Sequence, residues 1–476
     1  MKQVLQSVVL LVVVLVLTCT QVWGQSEVGN IELLDRGSLT SSFHMSLGFL
    51  YGAGSRPDGL GTPISTVRSG VASVSGNPAG LAYISTNAVV MDVLPPFGIA
   101  ASDFLDLQGV TSDALDNATD DFTTRSVDPA YSMFETELGQ QGGVVSGAVG
   151  LRVGRFVVAA AIEEPVSVSI DMTNSGLEAH GQGVKDEGGE LIDVNLQFMA
   201  DVAADFAFRM SRTTVAAASD VRPDVALGLS ISRYSARARL SGSIEGDGGV
   251  SYGDQEYAFN DPDDPWHNEL GATSRGSYEG GAFGWSLGAS WRPIGLLTVD
   301  ASYASVPALK LDGSLTTVSN LLPGMADAEF HPEEVDVTRP TLTEREETTK
   351  SDAVTLMLPS HVGVAVSVDA RFFLATLEYR RYSGSFGFEY QDASEGVDVT
   401  DGLGLEFDFG MVRLGGGAIR GRLMGNSIDG GSAGDDVVIP MANIGLGISI
   451  GQNLRLDTMV LAVPLQVLRV SLGYQF

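Results

Sequence analysis

Reading back from the last residue, Phe476, every second side chain is apolar: Tyr474, Leu472, Val470 and Leu468 alternate with Gln475, Gly473, Ser471 and Arg469. Successive side chains of a strand point to opposite faces, so this segment has one apolar, aromatic face and one small or polar face. The pattern recurs upstream. Phe283, Trp285, Leu287, Ala289 and Trp291 alternate with Gly284, Ser286, Gly288 and Ser290; after a Pro293-Ile294-Gly295 turn, Leu297, Val299, Ala301 and Tyr303 continue against Thr298, Asp300 and Ser302. A second hairpin pairs Val362, Val364, Val366 and Val368 with Phe373, Ala375, Leu377 and Tyr379 across Asp369-Ala370. Ile444 to Ile450 forms a further strand, and Phe198, Ala200, Val202, Ala204, Phe206 and Phe208 predict another with the same outward apolar face.

A soluble β-sandwich also alternates, but its polar face meets water and should carry charges. Here Gly, Ser and Ala dominate that face, which suits a lumen filled by something else. The aromatics Trp285, Trp291, Tyr303 and Tyr379 suit interfacial girdles. The pattern predicts an all-β transmembrane antiparallel barrel. Segment counting gives roughly 12 to 16 strands, and the even choice is about 14. A lumen that wide is not filled by its own side chains and calls for a plug.

The N-terminus agrees. After Lys2 an apolar run of ten residues from Val8 to Leu17 precedes Val22-Trp23-Gly24, which predicts a signal peptide over residues 1–24. Ten residues are too few for a spanning helix, which needs about 20. Cys19 offers a lipoprotein alternative, but Val16-Leu17-Thr18 is a poor lipobox. Cleavage after Gly24 leaves a mature chain without cysteine. Residues 25–83 are then the expected plug and 84–476 the barrel.

Fifty-nine acidic against 28 basic residues give a net charge of −31, which excludes nucleic acid as a partner. The acids crowd into Asp103 to Asp128, Glu163 to Glu190, Glu245 to Glu279, Asp327 to Asp352 and Asp392 to Asp401, read here as solvated loops at the extracellular end. With 58 glycines and 44% hydrophobic residues the chain is too apolar to be an acidic disordered protein.

Before the first strand, Ser42 to Tyr83 is rich in Gly and Ser and contains Gly76-Asn77-Pro78-Ala79-Gly80-Leu81-Ala82. Pro78 fixes its own backbone and disfavours helix at Asn77, whose amide can cap a turn. This segment resembles the N-terminal hatch of the FadL/TodX outer-membrane transporters and of the related PorV group, with Asn77, Pro78 and Ala79 on the family's triplet. Gly284 to Ser314 and Leu358-Pro359-Ser360 also resemble the family's layout. The closing strand, with Tyr474 and the terminal Phe476, resembles the signal read by barrel-assembly machinery. The resemblance implies a monomer in the bacterial outer membrane, embedded in its lipid and passing long-chain fatty acids or other small hydrophobic molecules without energy input. The alternative it leaves is a PorV-like barrel serving protein secretion or surface attachment.

No cofactor and no enzymatic activity are expected. Gly284-Trp285-Ser286-Leu287-Gly288 matches a nucleophile elbow, but that motif needs a strand-to-helix turn and here lies within a strand. His44, His180, His267, His331 and His361 lack metal-ligand spacing. Asp261-Pro262-Asp263-Asp264-Pro265 lacks calcium-loop spacing. On this phasing Glu378 and Arg380 point inward from one strand and Glu406 and Asp408 from the next, while Leu403, Leu405, Phe407 and Phe409 face lipid. Arg380 is expected to pair with Glu406, Asp408 or a plug residue, because a lone buried charge is costly.

Overall fold

The computed structural model describes residues 29–35, 37–46, 64–67, 69–95, 97–98, 132–140, 142–187, 190–258, 270–321, 343–370, 372–390, 393–424, 434, 436–451, 453–463 and 467–476. The signal-peptide reading, the Asp103 to Asp128 stretch and Asp261 to Pro265 fall outside them.

Fourteen strands close into a ring: β1 (Ala88–Leu94), β2 (Gly143–Val153), β3 (Phe156–Glu187), β4 (Glu190–Arg222), β5 (Val225–Tyr252), β6 (Leu270–Ile294), β7 (Leu297–Ser305), β8 (Ser360–Ala370), β9 (Phe373–Ser383), β10 (Ala393–Asp408), β11 (Val412–Met424), β12 (Asp436–Ile450), β13 (Leu454–Val463) and β14 (Val467–Gln475). Each pairs antiparallel with its sequence neighbour, and β14 closes on β1 with Tyr474 opposite Val89. Closure leaves no unpaired edge in the ring. Short turns such as Gly154-Arg155, Pro223-Asp224 and Gly295-Leu296 lie at one end, with the Gln475–Ala88 end of the β14–β1 seam; Asp369 N–H donates to Leu296 O there. The longer excursions leave from the other end.

Around the turn end the chain is inside-out. Phe283, Trp285, Leu287 and Trp291 are exposed, as are Val362 to Val368 at every second position, Leu403, Leu405, Phe407, Phe409, Leu472 and Tyr474. Ser286, Ser290, Asp300, Ser367, Thr376, Glu378 and Glu406 are buried. An exposed apolar band on a closed antiparallel ring is the construction of an outer-membrane barrel, since lipid demands apolar side chains and leaves no backbone group unpaired.

Farther from the turns the polarity reverses while the phase holds. On β4, Val215 is exposed and Ala216 buried, but twelve residues back along the chain Ala203 is only half-buried, Asp201 and Asp205 are exposed, and Ala200, Val202 and Ala204 are buried. On β5, exposed Leu227, Leu229 and Ile231 give way to exposed Arg233, Arg237 and Arg239, with Tyr234 and Ala236 buried between them. These extensions have the polarity of a water-soluble sheet. They also correct two expectations. The Phe208 face of β4 points inward rather than to lipid, because at 33 residues the strand outruns the roughly 9–11 needed to span a bilayer. The acidic stretches from Glu163 to Glu190 and from Glu245 to Glu279 are largely strand rather than loop, their exposed acids solvating the outer face of the extensions.

Eight further strands are described outside the ring. Gly29–Asp35 and Ser38–Ser46 lie antiparallel along the β3 extension. The N-terminal segment therefore contains strand, and Ser42 to Ser46 is part of it. Its Leu39 and Phe43 are buried.

Candidate functional site

Residues 64–84 pack against the small-residue face of the ring, and the sequence explains how. Two short 3-10 turns, Gly70–Val74 and Pro78–Tyr83, flank Asn77. Asn77 holds an extended conformation, as a residue before proline prefers, and its side chain accepts from Ala79 N–H at 3.2 Å. The same amide donates to Ile64 O at 3.0 Å and to Ala289 O and Ala301 O, both at 3.3 Å, tying the turn to β6 and β7. Asn77, Pro78 and Ala79 therefore form one anchor.

The small side chains opposite are small because this segment's backbone lies on them. A Cβ at Gly288 would stand 1.9 Å from Asn77 Oδ1, one at Gly228 would stand 2.3 Å from the Pro78 carbonyl carbon, and one at Gly363 would meet the Ile64 side chain at 2.1 Å. Val71, Val74, Leu81, Ala82 and Ile84 are buried against alanines of β1 to β5.

Carboxylates of the ring satisfy the segment's other end. Glu378 Oε1 accepts from the backbone N–H of Ile64 and of Ser65, each at 2.9 Å, while Arg380 holds its other oxygen at 3.2 Å. Asp300 accepts from Thr66 N–H at 2.9 Å and from the Thr66 hydroxyl at 2.8 Å. Ser75 donates to Glu163, which Arg212 holds at 2.6 Å. Tyr83 donates to Ser290 at 3.1 Å, burial pushes its phenol pKa up, and the Arg292 guanidinium lies 3.3 Å from its ring centre.

All four charges predicted to face inward are buried: Glu378, Arg380, Glu406 and Asp408. Glu406 stands opposite Thr376, Asp408 opposite Leu374, and Arg380 opposite Gly402, so register does not bring the arginine face to face with either acid. Arg380 bridges Glu378 on its own strand, and Asp408 bridges Arg413 of β11 at 3.4 Å. Arg413 continues to Asp457 at 3.0 Å, and Arg469 pairs with Asp92 across the β14–β1 seam. Asp300, Glu163 and Arg212 were missed; their signal was a charge on the small-residue phase of a strand. Ser286 is buried mid-strand with its hydroxyl 2.5 Å from Ser230 Oγ, and no elbow surrounds it.

Along the strands from this polar layer, the interior of the extensions is apolar. Val166, Phe208, Met210, Tyr234, Ala236, Leu309, Leu311 and Leu356 form one buried cluster, with Phe206, Tyr278, Val306 and Leu358 packed against it. Tyr234 sits directly opposite Arg212, so the apolar cluster starts where the Glu163–Arg212 pair ends. One wall is bent. The chain leaves strand geometry at Val306–Ala308, Val306 N–H donates to Ser360 Oγ at 2.9 Å, and a Cβ at Gly280 would stand 1.9 Å from Lys310 O. Tyr474 and Phe476 are exposed at the turn end with rings 6.2 Å apart.

The ring and its apolar band define an outer-membrane β-barrel. No family model and no curated protein matches the sequence. Among solved structures the chain is similar to the Ralstonia pickettii toluene transporter TbuX (12% identity, 86% of this chain and 94% of that one, TM-score 0.39). It is also similar to a Pseudomonas aeruginosa FadL homologue (11%, 91% and 98%, TM-score 0.46) and to the Pseudomonas putida toluene transporter TodX (10%, 89% and 96%, TM-score 0.41). Likeness at this level concerns fold, and function must come from the chain's own residues.

Proposed function

We propose that this barrel is an outer-membrane channel for the passive uptake of small hydrophobic molecules, long-chain fatty acids among them, with residues 64–84 as its plug. The carrying observation is the apolar cluster inside the extensions, stacked along β3, β4 and β5 over the polar layer. An aqueous porin would need a polar lining at that level. An apolar solute instead gains by leaving water for such an interior, by about 25 cal/mol per Å² buried. Short turns are expected in the periplasm and the extensions outside. The solute would then enter the cluster first, and passage would require the bent Val306–Leu311 stretch or the plug to shift. Binding and displacement, with no covalent step, are the activity.

The test is uptake of a labelled long-chain fatty acid by a strain lacking the gene, with and without the gene restored. Restored uptake supports the reading. Equal uptake in both, with loss of a surface-attached or secreted protein in the deletion strain, would favour the secretion alternative.

A further inference from the structure

In a chain with 59 acidic and 28 basic residues, five arginines meet on one outward patch: Arg209 of β4, Arg233, Arg237 and Arg239 of β5, and Arg275 of β6. Each is exposed between buried or half-buried neighbours and so points away from the interior. Arg209 stands directly opposite Arg237, a like-charge placement that a strand pair normally avoids. Arg275 is opposite Ser241, one diagonal step from Arg239. The patch's acids are Glu279, which holds Arg237 at 3.1 Å, and Asp205, which accepts from Ser241 Oγ at 3.0 Å.

The remaining four, Arg209, Arg233, Arg239 and Arg275, have no acidic partner among the described residues. The far wall is built differently. There the exposed Arg420 and Arg422 are matched one to one, with Asp401 at 2.6 Å and Asp436 at 3.2 Å. The patch also has a fixed position relative to lipid. Arg233 is the next outward residue after Ile231, its guanidinium lies 6.0 Å from the ring centre of Phe283, and Ile231 and Phe283 are the last large apolar side chains of the band on their strands. The patch therefore begins where the hydrocarbon ends, with Arg233 at headgroup level and the other arginines farther out along the strands.

We propose that this patch binds the phosphate headgroups of an anionic lipid in the leaflet around the extensions. Exposed guanidiniums offer forked donors that match phosphate oxygens, and a cluster at the membrane boundary gathers anionic headgroups with salt-sensitive strength. A bound phosphate would also relieve the Arg209–Arg237 repulsion.

The test uses the full-length barrel purified in a non-ionic detergent and titrated with diphosphoryl lipid A, with phosphatidylcholine and inorganic phosphate as comparison probes. The variants are R209Q/R233Q/R239Q/R275Q and, on the far wall, R420Q/R422Q, each checked for the folded barrel by its heat-dependent gel mobility. The expected result is lipid A binding that weakens with salt, falls at least ten-fold in the quadruple variant and is unchanged in the far-wall variant. Folded quadruple variant binding lipid A as tightly as wild type would overturn the proposal. So would equal binding of phosphatidylcholine, or displacement of lipid A by millimolar inorganic phosphate, which would mark an adventitious ion only. Fatty-acid uptake should survive in the quadruple variant, which separates this site from the channel reading.

Discussion

The two halves of β4 share one phase and opposite chemistry. From Thr213 to Ala217 the outward residues face lipid and the inward Thr214 and Ala216 lie on the side of residues 64–84, the proposed plug; from Asp201 to Arg209 the outward residues face water and the inward Ala204 and Phe208 build an apolar interior. A strand extended over 33 residues covers about 100 Å, so one rigid element crosses two solvents. Alternation fixes which residues share a face, but the surrounding solvent decides what that face must be made of.

The largest effect should come from removing the proposed plug. Deleting residues 64–83 strips Glu378 and Asp300 of their backbone donors and leaves alanines of five strands without their apolar cover. Planar-bilayer recordings should then show a persistently open pore, with a several-fold rise in uptake of small polar probes. An unchanged closed state would remove the functional distinction between the two halves.

Next comes a contrast between outward positions of one strand. Val215→Arg, in the lipid band, should cost about 2–4 kcal/mol if it sits near the midplane. Ala203→Arg, on the same face of the extension opposite Ser243 and between the outward Asp201 and Asp205, should stay within about 0.5 kcal/mol. Reversible unfolding in lipid vesicles measures both, and equal costs would mean that the band does not end where the exposed residues change character.

Arg380→Met probes the interior of the turn-end half. It leaves Glu378 buried with only the two backbone donors, a loss of about 3–5 kcal/mol for one partner of a buried pair. Thermal stability should fall while uptake of an uncharged hydrophobic probe is retained; lost uptake with intact stability would make Arg380 a substrate contact instead. A smaller effect is expected for Asn77→Ala, where the cap and the bonds to Ile64, Ala289 and Ala301 disappear. A cap is worth about 1 kcal/mol and each buried carbonyl left unpaired adds more. Faster proteolysis within the plug, with the ring intact, is the readout.

Much of this was legible in the sequence. The closing strand, the phase of six strands and the inward direction of Glu378, Arg380, Glu406 and Asp408 all follow from a period of two. The small residues on the inward face, Gly288 among them, pointed to a lumen filled by something else, without saying by what. The length of β3 to β6 was not legible, because acidic residues on the outer face of a water-exposed strand look like those of a loop. Ion-pair partners were hidden too. Alternation fixes the face but not the position along the neighbouring strand: Arg380 stands opposite Gly402, four residues along from Glu406.

The central claim is that the apolar interior of the extensions receives the transported molecule. Its most direct test is equilibrium binding of a fluorescent long-chain fatty acid to the purified barrel carrying F208D or M210D, against Asp205→Asn on the outer face of the same strand. Binding is expected to be at least ten-fold weaker in the two inward variants and unchanged in the outward one. Undiminished binding in folded F208D and M210D barrels would contradict it.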